Sequence, residues 1–483
     1  MPLTCFSSAT EIARAIRRRR ISAVEALQLF LDQYARQHAH INAICTLDAE
    51  GALRAAREAD AMLARGEVRG PLHGVPVSFK DSHATAGIRT ACGFPPMQDH
   101  VPAHDGHVVA CVRRAGGIVF AKTNVPPLLG AFHTDNPVFG RTSNPWHTGH
   151  APGGSSGGSG AALASGMTPL DYGSDMLGSI RLPAHFCGVA GLKPTQFRIS
   201  PEGHYPPLPG AFHAGNLLAT RGPLARRVED LLLAMQVISV PDPLDADAIP
   251  MPMEAFPRKP FSHYRVAWTD DFGGVPVTDE TRAALERTAS ALEARGCRVD
   301  KVSPAGLDFE QVVGAAAEVF SGTIAQGMRD EDRLAWLSEV ESTAADGAME
   351  AGRLRGLQLD YASWFRAMAV RLELIVQLRS FFTQWDGWLV PTSSGPAFRH
   401  EEVEQPRLIA GRRVPYFTAV ATHVAPFNLS GSPAVTIPAA LSADGLPIGL
   451  QLVGRPWQDM QLLRLAERVQ EAIGPLPVAP GVR

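Results

Sequence analysis

The chain opens with helical periodicity. Ser22 and Glu25 form an S-x-x-E capping box, and Val24, Leu27, Leu31 and Tyr34 follow at helical spacing as one apolar stripe. On this pattern the whole of 8–65 reads as helical. The period then changes. Gly74-Val-Pro-Val-Ser-Phe79 is a short, β-favouring apolar run that ends at Lys80-Asp81. A helix over about 105–115 and a strand at Gly117-Ile-Val-Phe-Ala121 continue the alternation, which predicts α/β architecture. Residues 263–302 read as a βαβ unit, with a strand at 264–268, a helix over about 279–295 and a strand at 297–302. The stretch 308–382 lacks proline and reads as helices. Strands at 388–390, 433–438 and 449–454 and a terminal helix complete the pattern. No linker or internal repeat interrupts it, so 1–483 is expected to be one domain, with 70–200 as its chemical core and 308–382 as a helical elaboration beside the substrate pocket.

Hydrophobic residues make up 45% of the chain and charged residues 19%, with a net charge of −3. Those values exclude a disordered chain and the broad basic field of a nucleic-acid binder. Arg17 to Arg20 is the one basic run. It reads first as the solvated end of a helix, and second as a nucleic-acid or membrane contact. No apolar run is long enough to span a bilayer, and the N-terminus lacks the apolar core of a secretory signal, so a cytoplasmic protein is expected. The six cysteines show no C-x-x-C pair and read as reduced thiols. Only five cations are lysine (80, 122, 193, 259 and 301), so lysine positions are where the chemistry of an amine is sought.

Gly153-Gly-Ser-Ser-Gly-Gly-Ser-Gly160 is the most unusual segment. Four readings compete. A flexible linker is disfavoured because Ala161-Ala-Leu-Ala continues as a helix. A phosphate loop lacks the lysine after its final glycine. A nucleophile elbow fits G-x-S-x-G at Ser155 and Ser156 but lacks the preceding strand. The fourth reading is a rigid turn holding a serine beside a second serine downstream, in Gly173-Ser-Asp-Met-Leu-Gly-Ser-Ile-Arg181.

Lys80 at a strand end, then GGSSGG, then S-D-x-x-G-S-I-R-x-P resembles the amidase signature family. Further matches are Gly116-Gly-Ile-Val-Phe-Ala-Lys-Thr-Asn124, Asn136, Gly140, Asn144-Pro145 and Gly188-Val-Ala-Gly-Leu-Lys-Pro-Thr195. Pro391-Thr392, Asn428, Gly431-Ser-Pro433 and Gly445-Leu-Pro-Ile-Gly-Leu-Gln-Leu-Val-Gly454 extend the resemblance over roughly 8–475. It implies a large mixed, mostly parallel central sheet covered by helices on both faces. It also implies an acyl-enzyme mechanism with no metal or cofactor. Ser179 would attack the acyl carbon, Ser155 (preceded by a cis peptide) would relay the proton, and Lys80 would accept it once burial had lowered its pKa. Ser156, Asp175 and Arg181 would support the loop. The backbone N–H groups of Met176, Leu177, Gly178 and Ser179 would form the oxyanion hole, with such donors worth about 10²–10³ each in rate.

The family has Gly-Gly where this chain has Leu177-Gly178. Leu177 would narrow the acyl pocket, distort the oxyanion hole, or be harmless at negative φ. A Ser-His-Asp arrangement is the rival chemistry, with His133, His147, His150 and His185 near the motifs. No H-x-x-x-H or H-E-x-x-H pair placed on a helix points to a metal. Pocket walls are expected from Gly130, Ala131, Phe132 and His133, from the 308–382 helices (Phe320, Trp336, Trp364), and from Phe398 and Phe427. That lining favours an aryl or medium acyl amide, an anilide, or an aryl carbamate or ester. The alternatives are a catalytically weakened binding protein and a glutaminase-type amidotransferase subunit. The expected partner is a small amide, without nucleic acid or membrane, acted on by a monomer or homodimer.

Overall fold

Serine hydroxyls start the first two helices. Ser8 and Ser22 each accept from the backbone of a glutamate three residues on, whose carboxylate binds the serine N–H in return. They open α1 (Ala9–Arg17) and α2 (Ala23–Ile41). The buried stripe of α2 runs through Ala23, Ala26, Leu27, Phe30, Gln33, Gln37 and Ile41. Val24, Leu31 and Tyr34 sit half-buried at its margin, so the expected stripe is displaced by about one position. The arginine run ends α1 in solvent, where Arg17 donates to Gly70 O and Arg19 to Leu63 O. The computed structural model describes residues 3–206, 217–342 and 347–482, apart from positions 244, 246, 248, 250, 252, 254 and 255.

The helical reading of 8–65 is interrupted by a strand. Asn42, left-handed at φ 52°, terminates α2, and β1 (Ile44–Leu47) follows before α3 (Ala49–Ala64). Next come β2 (Pro76–Lys80), α4 (His107–Arg114), β3 (Ile118–Thr123), α5 (Gly157–Ala164), β4 (Leu170–Asp175) and α6 (Arg181–Cys187). The middle of the chain adds β5 (Ala190–Lys193), β6 (Thr220–Ala225), α7 (Val228–Ile238), β7 (Arg265–Trp268), α8 (Asp279–Ala294) and β8 (Arg298–Lys301). The helical stretch comprises α9 (Phe309–Ala325), α10 (Asp330–Glu341), α11 (Ala348–Gln358) and α12 (Tyr361–Phe381); positions 343–346 within it lie outside the described residues. Last come β9 (Gly387–Pro391), the hairpin β10 (Arg407–Ile409) and β11 (Arg412–Val414), α13 (Tyr416–Ala421), α14 (Ala425–Leu429), β12 (Ala434–Leu441), β13 (Pro447–Val453) and α15 (Asp459–Ile473).

One mixed sheet gathers eleven strands in the order β1-β3-β2-β4-β6-β5-β12-β13-β9-β7-β8. The expected parallel pairing occupies two wings, β3-β2-β4 and β9-β7-β8. Between them, from β4 through β6, β5, β12 and β13 to β9, the strands pair antiparallel. Helices cover both faces, as the alternation of side chains shows. On β9, Trp388 and Val390 enter one hydrophobic core while Leu389 enters the other. On β12, Ala434 and Val435 divide the same way. The first core lies with α1 to α4, α7 and α15, the second with α9, α12, α13 and α14. Among the described residues no helix is long and apolar enough to cross a membrane.

Candidate active site

The parallel wing brings the expected residues together at the carboxyl ends of its strands, where loops leave an open α/β sheet. Lys80 is the last residue of β2. The register Ser78↔Asp171 and Phe79↔Tyr172 carries the end of β4 alongside it. Lys80 is fully buried, and its Nζ lies 2.6 Å from Ser155 Oγ, 2.9 Å from Ser174 Oγ and 3.5 Å from the Ser174 carbonyl. Burial drives its pKa down to about 7, against the opposing pull of the Asp175 and Asp171 carboxylates.

The Gly/Ser tract is a close-packed turn leading into α5. A Cβ on Gly154 would sit 2.3 Å from Ala131 O, and one on Gly158 would sit 2.2 Å from Asn124 N. Only glycine lets these backbones meet. The Gly154–Ser155 peptide is cis. Ser156 N donates to Ser179 O at 3.1 Å and Ser156 Oγ to Ser174 O at 3.4 Å, tying the tract to β4 and to the loop after it.

That loop, 176–180, is held by Asp175. Its carboxylate accepts from Gly178 N at 2.8 Å, from Ile180 N at 3.1 Å, and from Arg181 Nε and Nη2 at 3.0 Å each. Burial alone would raise the Asp175 pKa. The Arg181 charge and hydrogen bonds, with Asn428, overcome that and hold the carboxyl well below the usual range. The buried Arg181 guanidinium also reaches Val424 O, Gln451 Oε1 and Asn428 Oδ1.

Several expectations change here. The N–H of Gly178 is engaged by Asp175, which removes it from the expected oxyanion donors. Those of Met176, Leu177 and Ser179 donate to no partner among the described residues. Leu177 is absent from the residues with positive φ and lies buried in the second core, so the position carries a side chain without backbone strain. Ser179 is half-buried, and its hydroxyl has no hydrogen-bond partner among the described residues. The Lys80–Ser155 contact is therefore formed and the Ser155–Ser179 contact is not.

Ala131 and His133 lie against Gly154, next to Ser155, and Phe132 packs on Phe417 with ring centroids 4.9 Å apart. Phe398 and Phe427 are fully buried, against Phe186 and Tyr416 and against Trp388 respectively, which makes them core behind any pocket wall. A groove of about 640 Å³ runs between α9, α11 and α12, past Gly314, Glu318 and Arg355, and none of Lys80, Ser155 or Ser179 lines it.

No histidine hydrogen-bonds a serine of the site among the described residues. His185 is fixed structurally: Gly449 N donates to Nδ1 at 2.6 Å, so Nε2 carries the proton and donates to Gly395 O at 3.0 Å. No cluster of three His, Cys, Asp or Glu suited to a metal occurs among the described residues.

Two contributors escaped the sequence reading. Ser174 supplies both a hydroxyl and a carbonyl to Lys80. A second buried lysine, Lys122, donates to His83 O at 2.6 Å and Thr90 Oγ1 at 2.7 Å and lies 3.8 Å from Asp81 Oδ1. Asp81 Oδ2 accepts from Ala91 N and Cys92 N, so this cluster anchors the chain as it leaves Lys80. Strand position was the available signal for Ser174, since it immediately precedes Asp175 at the end of β4.

Known proteins resemble the chain over nearly its whole length. The amidase family model matches residues 25–463. The chain is 32% identical to a glutamyl-tRNA(Gln) amidotransferase subunit from Moorella thermoacetica, over 97% of this chain and 96% of the relative. It is 32% identical to an acylamidase of Rhodococcus erythropolis, over 97% and 95% respectively. The solved structure of a 6-aminohexanoate cyclic dimer hydrolase with substrate superposes with a TM-score of 0.82 at 26% identity, covering both chains completely. A match of this extent, over the segments that build the site, identifies the chain as a member of the amidase family of carbon–nitrogen hydrolases.

Proposed function

We propose that the protein hydrolyses an aryl or medium acyl amide, an anilide or an aryl carbamate through an acyl-enzyme on Ser179. The observation that carries this reading is the 2.6 Å contact between the buried Lys80 amine and Ser155 Oγ, with the amine's pKa near 7. Neutral lysine has two N–H donors and one lone pair. The Ser174 carbonyl can only accept, so it takes one N–H. When Ser174 Oγ accepts the other, the lone pair is left facing Ser155, the arrangement the relay requires.

On substrate binding the Ser179 side chain rotates toward Ser155, closing a contact of the kind that tightens only in the loaded enzyme. Ser179 Oγ attacks the carbonyl carbon, its proton passes to Ser155 Oγ, and the Ser155 proton passes to Lys80. The oxyanion meets the free N–H groups of Met176, Leu177 and Ser179. Collapse breaks the C–N bond as Lys80 returns the proton to the leaving amine through Ser155. Water then cleaves the acyl-enzyme by the same relay.

Phe132 and the apolar core around Leu177 support an apolar acyl or aryl group. Leu177 without a positive φ speaks against the weakened binding protein. The glutaminase reading draws on the 32% identity to an amidotransferase subunit. Fluorophosphonate labelling with peptide mapping, alongside turnover of a nitroanilide panel and of glutamine, tests the proposal. Labelling on Ser179 with anilide turnover is expected. Labelling on Ser155 or Ser156 would overturn the nucleophile, and glutamine turnover alone would move the function to the amidotransferase class.

A further inference from the structure

Arg221 stands beside the relay without belonging to it. On β6 it lies directly opposite Ser174 of β4 in the antiparallel register. Side chains of directly opposed residues leave the same face of a sheet, with Cβ atoms about 5 Å apart. Ser174 is also the residue that anchors the Lys80 amine, through its hydroxyl at 2.9 Å and its carbonyl at 3.5 Å. The guanidinium therefore starts from the strand next to the amine's own anchor. It is buried, and although burial draws its pKa down to about 10 it keeps its charge at neutral pH.

The other groups around the amine do not supply that charge. From β4, Asp175 and Asp171 both pull Lys80 toward its cation. Cys92 would add to that pull only as a thiolate, and burial keeps its thiol protonated. Ser155 and Ser174 offer neutral hydroxyls. His83 and His204 lie on the Arg221 side with rings 5.1 Å apart, and burial together with the nearby cations holds both neutral. Arg181 is paired with Asp175, and Lys122 lies 3.8 Å from Asp81. Burial lowers the amine's proton affinity first, and Arg221 is the fixed cation that works with burial against the two carboxylates. Asp245 acts on the guanidinium in turn and favours its charged form.

We infer that Arg221 is a positioning residue for the hydrolysis, a buried cation that acts across Ser174 to keep the Lys80 amine free of its proton. This rests on Lys80 being the base of the proposed relay. The guanidinium touches neither substrate nor reacting atoms in that role. Its effect is read in when the amine titrates, which a mere structural prop would leave unchanged.

Carbon NMR of chains labelled with [ε-13C]lysine tests this, because only five lysines contribute signals and Lys80→Met assigns the one in question. Arg221→Met should move the Lys80 midpoint up by about 0.5–1 pH unit. The acid limb of kcat/KM should move with it, so that the rate at pH 6 falls about three- to tenfold while the alkaline plateau is kept. Arg221→Lys, which retains the charge, should keep the wild-type limb. Asp245→Asn removes the carboxylate that offsets the guanidinium and should move the midpoint to lower pH. Circular dichroism and thermal melting verify folding, and Asp245→Asn carries the test if Arg221→Met does not fold. A Lys80 midpoint that stays in place in folded Arg221→Met, or rises in Asp245→Asn, overturns the inference. So does a rate lowered equally at every pH, the mark of a structural prop. A midpoint that moves while the pH profile does not would uphold the action of Arg221 on Lys80 and overturn Lys80 as the base.

Discussion

The amine of Lys80 touches the hydroxyl of Ser155 at 2.6 Å although 75 positions separate them in the chain. One sits at the end of a parallel strand and the other at the entrance to α5. Both are cut off from water, so the amine that would be a cation at the surface has a pKa near neutrality here.

Replacing Lys80 by Ala is expected to lower kcat/KM by about 10²–10⁴, the range of a lost general base. Lys80→Arg should not rescue it, because a guanidinium stays protonated at every working pH. Steady-state kinetics on an activated anilide check both, with thermal melting to show that the fold persists.

The pH profile should carry the same amine. In the proposed relay the amine must be neutral, so kcat/KM is expected to fall tenfold per unit below a pH of about 7 and to level off above it. Stability follows with a fixed sign. The unfolded lysine, with a pKa of ~10.4, binds more protons than the folded one between about 7 and 10. The Lys80 contribution therefore opposes folding most below pH 7 and is relieved as pH rises through that window. Urea titrations of the wild type and Lys80→Met at about pH 6.5 and 9 should show the difference shrinking at the higher pH.

Asp175 and Arg181 are buried, doubly bonded partners. Removing either one leaves the other as an uncompensated charge, so Asp175→Ala and Arg181→Ala should each cost about 3–5 kcal/mol in denaturant unfolding. The double substitution should cost less than the sum of the two.

Leu177 separates two accounts of its departure from the family's glycine. As a core residue it should cost about 2–5 kcal/mol on truncation to Ala. As an obstruction in the oxyanion hole it should raise kcat when shortened. Unfolding and kinetics of Leu177→Ala are expected to show the loss of stability and no gain in rate.

What could be read from the residues was local or motif-borne. The capping box at Ser22, the strand ending at Lys80 and the βαβ unit over 263–302 depend on neighbours a few positions away. The strand β1 was hidden because Ile44–Leu47 is only one turn's worth of chain between two helices, with Asn42 as its single signal. The antiparallel middle of the sheet is a matter of long-range pairing, which periodicity does not encode. At the site, Lys80 and Ser155 were legible as a motif, but the loss of Gly178 N–H depends on where the Asp175 carboxylate turns. Phe398 and Phe427 show the limit of composition, since an aromatic residue reads the same in a core as in a pocket wall.

The Arg181 guanidinium joins the end of β4 to Asn428 on α14 and Gln451 on β13. The 176–180 loop is thus clamped by segments that the ribosome makes 243 to 270 residues later. A fragment ending before β13 would therefore carry Lys80, Ser155 and Ser179 without the Gln451 contact that helps hold the 176–180 loop.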